Sequence, residues 1–172
     1  ADELGAERMQ RVFEQLEFRS RPHIEIKERA KPLWPSSWGR LTNMTVSYGH
    51  GIAVTPLHLA SAYAALVNGG VWRPTTLLRR DGALPKGRQV FKPSTSARMR
   101  QLLRMIVVDG TGKQADAPGF RVGGKTGSAE MPGVGGYNRS SVVATFAAAF
   151  PMDNPRYVVV AMIDRPKGNA YS

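Results

Sequence analysis

Beyond residue 120 the chain changes period, and that switch constrains the fold more than any other feature. Arg121 to Glu130, Ser141 to Phe150 and Arg156 to Ile163 are apolar or β-favouring runs of strand length, separated by turn chemistry. Pro151-Met152-Asp153-Asn154-Pro155 is a short connector, which predicts an antiparallel hairpin from the last two runs. Met131 to Arg139 carries three glycines and one proline and reads as a loop.

Upstream the pattern is helical. Met9, Val12, Phe13 and Leu16 line one face of a helix over Gly5 to Phe18. Thr55 can cap free amides and Pro56 suits the first helical position, so Leu57 to Val67 is predicted helical, ending at Asn68-Gly69-Gly70. A third helix starts at Ser94 after Pro93, buries Met99, Leu102, Leu103, Ile106 and Val107, and stops at Gly110. Arg19 to Trp38 holds Pro22, Pro32 and Pro35 around alternating Ile24 and Ile26, which reads as a short strand and then loop. Helices followed by antiparallel strands predict an α+β fold with helices packed on one sheet.

The 172 residues are the length of one domain, and 42% hydrophobic with 22% charged residues is ordinary globular composition. The longest apolar runs, Val142 to Phe150 and Tyr157 to Ile163, have the length of buried strands, far short of the ~18 residues a membrane helix needs. The chain opens Ala1-Asp2-Glu3 with no basic-then-apolar stretch, so an export signal or anchor is expected to be removed or to lie upstream. Cysteine is absent, which excludes disulfides and thiolate metal sites, and His23, His50 and His58 have no ligand spacing; no metal or cofactor is expected. The net charge of +11 is concentrated between Val71 and Arg104, where nine basic residues face one acid, Asp81. Such a segment is either a solvated basic face or a contact for a polyanion.

The chemistry concentrates in Gly123-Gly124-Lys125-Thr126-Gly127-Ser128-Ala129-Glu130. On a strand, Thr126 and Ser128 put both hydroxyls on one face, and Gly127 leaves room for an extended peptide against the backbone. Lys125 adds a positive charge, although alternation sends it to the opposite face, toward a partner on another element. The combination suits a ligand with a backbone amide and a terminal carboxylate, held by main-chain bonds, hydroxyls and an ammonium. The competing reading is a glycine-rich strand whose glycines mark a bulge.

These residues have company. Tyr48-Gly49-His50-Gly51-Ile52-Ala53-Val54-Thr55-Pro56-Leu57, a helix ending Asn68-Gly69-Gly70, Asp109-Gly110-Thr111-Gly112 and Gly124-Lys125-Thr126-Gly127-Ser128-Ala129-Glu130 occur in that order. The series resembles the C-terminal half of the class B penicillin-binding proteins, and the Gly-His-Gly-Ile-Ala-Val-Thr-Pro form resembles the division-specific branch. The resemblance runs from Leu4-Gly5 to Arg165-Pro166-Lys167-Gly168.

That resemblance implies a penicillin-binding, serine β-lactamase-like fold and a peptidoglycan D,D-transpeptidase. In such enzymes a serine of a Ser-x-x-Lys motif attacks the D-Ala-D-Ala end of a stem peptide, and a Ser-x-Asn motif shuttles the proton. By position, Lys125 would bridge to the Ser-x-Asn serine. Thr126, Gly127 and Ser128 would bind the substrate, with both hydroxyls on its carboxylate, and the Ser128 amide would form half of an oxyanion hole. Ser128 replaces a commoner threonine but keeps the hydroxyl. Implied partners are stem peptides, β-lactam antibiotics, the rest of the same transpeptidase domain and divisome proteins, with no nucleic acid. The implied location is the inner membrane with the catalytic domain in the periplasm.

No serine of the sequence begins Ser-x-x-Lys or Ser-x-Asn, so the nucleophile is not in this chain. The expectation is therefore the C-terminal part of one transpeptidase domain over 1–172, truncated at both ends and inactive alone. Rival readings are a D,D-carboxypeptidase or serine β-lactamase on the same fold, a non-catalytic β-lactam sensor, and a polyanion-binding module. His50, with Ser47 three residues before it, reads either as catalytic or as a turn former between glycines. Asp109 to Gly112 reads as a loop near the acyl-acceptor side or as a helix stop and turn. Glu130 and Tyr137 flank the motif and receive no role.

Overall fold

The computed structural model describes residues 1–133 and 136–167. Val134 and Gly135 of the expected loop, and the closing Gly168 to Ser172, lie outside the described residues. Helices α1 (Ala6–Gln15), α2 (Arg40–Ser47) and α3 (Pro56–Val67) come first. The two-residue strands β1 (Val71–Trp72) and β2 (Arg88–Gln89), helix α4 (Pro93–Val108) and a 3-10 turn at Lys113–Ala115 follow. Strands β3 (Gly123–Gly133), β4 (Gly136–Phe150) and β5 (Tyr157–Asp164) form an antiparallel sheet in the order β3-β4-β5. This is the α+β arrangement that the change of period predicts.

Helix α3 shows how sequence sets a boundary. Thr55 Oγ1 accepts from the His58 amide and His58 Nδ1 accepts from the Thr55 amide, both at 3.3 Å, which closes a capping box ahead of Pro56. His58 does the work usually left to Glu or Gln. Its Nε2 lies 3.0 Å from the Ser20 carbonyl, tying the helix start to the segment after α1. At the other end, buried Ser96 donates to the Leu66 carbonyl at 2.6 Å and accepts from the Gly69 amide at 3.0 Å. One hydroxyl thus fastens the first turn of α4 to the end of α3.

The core has two parts. Leu16, Phe18, Ala62, Ala65 and Trp72 form a helical layer that Phe13 and Trp34 close at its edge. Val67, Leu103, Ala149 and Met152 join α3 and α4 to the sheet. Of the expected α4 stripe, Leu103 and Val107 are buried, whereas Leu102 is 51% exposed. One residue is about 100° of helix rotation, so a face centred on Leu103 and Val107 leaves Leu102 outside it.

Two other expectations change. The strand at Ile24 and Ile26 does not form; side chains hold the segment. Glu25 accepts from the Leu77 amide at 2.8 Å and from the Thr76 hydroxyl. Leu33 makes only an isolated antiparallel bridge to Ala53. The expected loop from Met131 to Arg139 is largely strand, because β3 and β4 continue pairing past a register shift between Glu130 and Met131. The final hairpin is as expected, with Phe150 opposite Tyr157 and the Arg156 amide donating to the Phe150 carbonyl at 3.0 Å.

Candidate active site

The Lys-Thr-Gly segment lies on β3, which among the described residues has β4 on one side only. Its glycines do different jobs. A Cβ on Gly124 would sit 2.6 Å from both the Ala147 carbonyl oxygen and the Phe146 ring, and one on Gly123 would sit 3.0 Å from the Arg104 backbone nitrogen. Those two glycines let β3 close against β4 and α4. A Cβ on Gly127 would meet nothing nearer than the Thr145 carbonyl oxygen at 4.0 Å. Nothing within the described chain requires glycine there, so any requirement comes from a ligand or from chain beyond these residues.

Around that open position the polar groups gather. Thr126 is half-buried and Ser128 exposed, on the same strand face. Lys125 is exposed, and its ammonium turns back along the strand to the Thr126 carbonyl at 2.7 Å, with Thr126 Oγ1 at 3.4 Å. Alternation places Lys125 away from the hydroxyls, but its long stem brings the charge back to that of Thr126. The arrangement offers a cation and two hydroxyls beside a strand edge, a donor set for a carboxylate attached to an extended chain.

Two structures hold β3 in place. Arg104 on α4 donates to the Val122 carbonyl at 2.8 Å and pairs with Asp116 at 2.7 Å, so one guanidinium joins α4, the 3-10 turn and the root of β3. The Arg104 hydrogen bond holds the Asp116 carboxyl below its ordinary range. The Asp109-Gly110-Thr111-Gly112 segment is a helix stop, with the Gly110 and Gly112 amides both donating to the Ile106 carbonyl. It also brings Thr111 Oγ1 to 3.0 Å from Thr126 Oγ1. Sequence reading missed this pair; the Gly-Thr-Gly spacing marked the loop but not its partner.

Ser47 donates to the Met44 carbonyl at 2.6 Å, and His50 sits in a turn between Gly49 and Gly51, at φ of 91° and 86°. Positive φ at both glycines is the backbone a turn there requires. Glu130 is exposed opposite Val142, at the register shift, and Tyr137 lies on β4 opposite Pro132. In the basic segment, Arg79 pairs with Asp81, Arg104 with Asp116, and Arg88 with Glu17 while lying 4.9 Å over the Trp72 ring. Among the described residues no group of three or more His, Asp and Glu is placed to hold a metal.

A family model described as "Penicillin binding protein transpeptidase domain" matches residues 1–172. The chain belongs to this family. Among curated relatives, a probable peptidoglycan D,D-transpeptidase FtsI of Caulobacter vibrioides is 42% identical over all of this chain and 31% of its own length. A probable peptidoglycan D,D-transpeptidase PenA of Neisseria gonorrhoeae is 34% identical over 97% of the chain and 29% of its own. The apo transpeptidase domain of Burkholderia pseudomallei penicillin-binding protein 3 superposes with a TM-score of 0.86 at 35% identity, covering 93% of this chain and 50% of that one. Penicillin-binding protein 3 of Mycobacterium tuberculosis in complex with ampicillin gives 0.88 at 28% identity, covering 96% and 41%. The chain is thus a member of the class B penicillin-binding protein family that corresponds to part of the transpeptidase domain, and it spans about a third of the length of these curated relatives. No helix among the described residues is long and apolar enough to cross a membrane.

Proposed function

We propose that the intact protein cross-links peptidoglycan by serine D,D-transpeptidation, with this chain supplying the strand that holds the substrate carboxylate. The observation that carries the reading is the open strand position at Gly127, where the nearest atom of the described residues to a Cβ is the Thr145 carbonyl oxygen at 4.0 Å, between the hydroxyls of Thr126 and Ser128. A D-Ala-D-Ala terminus laid along β3 takes main-chain bonds from the strand and rests its carboxylate on those hydroxyls. The Ser128 amide then faces the scissile carbonyl as half of an oxyanion hole.

A serine oxygen from the rest of the domain bonds to the carbonyl carbon of the penultimate D-Ala. The C–N bond breaks, the proton passes to the leaving amine, and terminal D-Ala departs. An amine of a second stem peptide attacks the resulting ester, forming the new amide and freeing the serine. Lys125 steers the anion and orients the hydroxyl that shuttles the proton. β-Lactams, whose ring amide and carboxylate imitate the substrate, stop at the ester. Family membership and the ampicillin complex of a similar protein support this reading. The division-type Gly-His-Gly block supports a role in septal wall synthesis beside other division proteins, with the catalytic domain in the periplasm and an inner-membrane anchor.

The test is acylation of the intact protein by a fluorescent penicillin. Thr126→Val removes one bond to a charged group, about 1.5–3 kcal/mol, and should slow acylation roughly tenfold to a hundredfold. Lys125→Ala should cost more. The chain of residues 1–172 alone should form no adduct by intact mass. Normal acylation of well-folded Thr126→Val and Lys125→Ala would remove β3 from the site. If water rather than an amine releases the acyl group quickly, the protein is a carboxypeptidase or β-lactamase instead.

A further inference from the structure

A hydroxyl that donates its only proton to a ligand has oxygen lone pairs left for another donor. Thr126 Oγ1 has such a neighbour in Thr111 Oγ1 at 3.0 Å. With the site empty, either oxygen can be the donor. Once Thr126 turns its proton to a carboxylate, only Thr111 can donate within the pair. Lys125 Nζ is a second donor in range, but it is longer at 3.4 Å and makes its shorter bond, 2.7 Å, to the Thr126 carbonyl.

We propose that Thr111 is a positioning residue for the anion-holding hydroxyl, donating to Thr126 Oγ1 so that the Thr126 proton points at the ligand carboxylate. The inference rests on the carboxylate-binding reading of β3. The bond also polarises Thr126 and makes its own proton a better donor, since hydrogen bonds in a chain strengthen one another.

The surrounding chain holds Thr111 for this task. The Gly110 and Gly112 amides converge on the Ile106 carbonyl at 3.1 and 3.0 Å, wrapping the turn onto the end of α4. A Cβ at Gly110 would lie 2.8 Å from the Ile106 carbonyl oxygen, and one at Gly112 would lie 3.3 Å from it. Glycine on both sides therefore leaves Thr111 as the one side chain the turn presents. Helix α4 is in turn bonded to the root of β3 through Arg104 and the Val122 carbonyl. Both hydroxyls thus stand on elements fixed to each other.

The test is a double-mutant cycle in the intact protein, reading the second-order rate of acylation by benzylpenicillin. Thr111→Val keeps shape and loses the donor, and should slow acylation roughly three- to tenfold, the effect of one neutral hydrogen bond. Thr111→Ser should restore the rate to within about twofold on the same reasoning. In a Thr126→Val background, Thr111→Val should change nothing further, because the hydroxyl it orients is gone. Thr111→Val at the parental rate, with Thr126→Val slowed, would overturn the inference and leave the carboxylate reading standing. An undiminished effect of Thr111→Val in the Thr126→Val background would also overturn it, since Thr111 would then act on its own. If Thr126→Val itself reacts at the parental rate, the reading of β3 fails and takes this inference with it.

Discussion

Gly124 and Gly127 are three residues apart on one strand, and alanine at each should break a different property. At Gly124 the new methyl lands 2.6 Å from the Ala147 carbonyl oxygen, a backbone atom that moves only if β3 and β4 part. Overpacking of this kind costs about 1–3 kcal/mol, enough to lower the melting temperature by roughly 2–12 °C in a domain of this order of size. At Gly127 the nearest atom to the methyl is 4.0 Å away, and alanine loses less backbone freedom on folding than glycine. That substitution should be neutral or stabilising by up to about 1 kcal/mol. If the open position is kept for a bound peptide, the same 1–3 kcal/mol falls on the acylation complex instead, slowing acylation roughly fivefold to 150-fold. Both variants should be compared in the intact protein by thermal melt and by penicillin acylation. A Gly127→Ala protein with the parental acylation rate, or one as destabilised as Gly124→Ala, would refute the division of roles drawn here.

Two further outcomes concern the fold. Leu103→Ala should cost about 2–5 kcal/mol, because Leu103 is 3% exposed among Val67, Ala149 and Met152, whereas half-exposed Leu102→Ala should stay within about 0.5 kcal/mol; chemical denaturation of each decides, and equal losses would mean the outer face of α4 is also packed. His58 is buried, and burial lowers its pKa, so the unfolded chain takes up a proton at a higher pH than the folded one. Stability should therefore be full above the ordinary imidazole range near ~6.5 and fall below it, by at most about 1.4 kcal/mol per pH unit; unfolding of parent and His58→Gln at two pH values checks this, and equal acid loss in both would refute it.

How much of this was legible in the chain follows from the distance over which each feature is decided. The cap of α3 is local, so Thr55-Pro56 announced it; only the use of His58 in place of Glu or Gln was not foreseeable. Helix α2 was missed because nothing local marks it. Gly39 supplies no capping side chain, the helix reads Arg-Leu-Thr-Asn-Met-Thr-Val-Ser, and it buries only Asn43 and Val46. Its hold is remote, through Asn43 Nδ2 donating to the Ala1 carbonyl at 3.0 Å. Strands β1 and β2 are two residues each and are joined across a long connection, too short to carry a period. The Lys125–Ser128 motif was readable as chemistry, but the Thr111–Thr126 bond depends on how α4 lies against β3. No pattern within 109–112 encodes that contact.

The sheet's two outer strands differ in how their edges are protected. Exposed edges invite pairing and are commonly blunted by charge, bulges or proline. Strand β3 has all three in sequence, with the Lys125 ammonium, the register shift after Glu130, and Pro132. Its edge can therefore stay open to solvent without inviting another strand. Strand β5 lacks such protection along Tyr157 to Ile163, where Tyr157, Val159, Met162 and Ile163 are all about half exposed or more. An apolar edge of that length needs a cover. The matched Burkholderia transpeptidase domain is about twice as long as the part superposed, so in that protein half a domain is available to supply one. Covering β5 would leave β3 as the free edge of the sheet. Lys125, Thr126 and Ser128 already stand there.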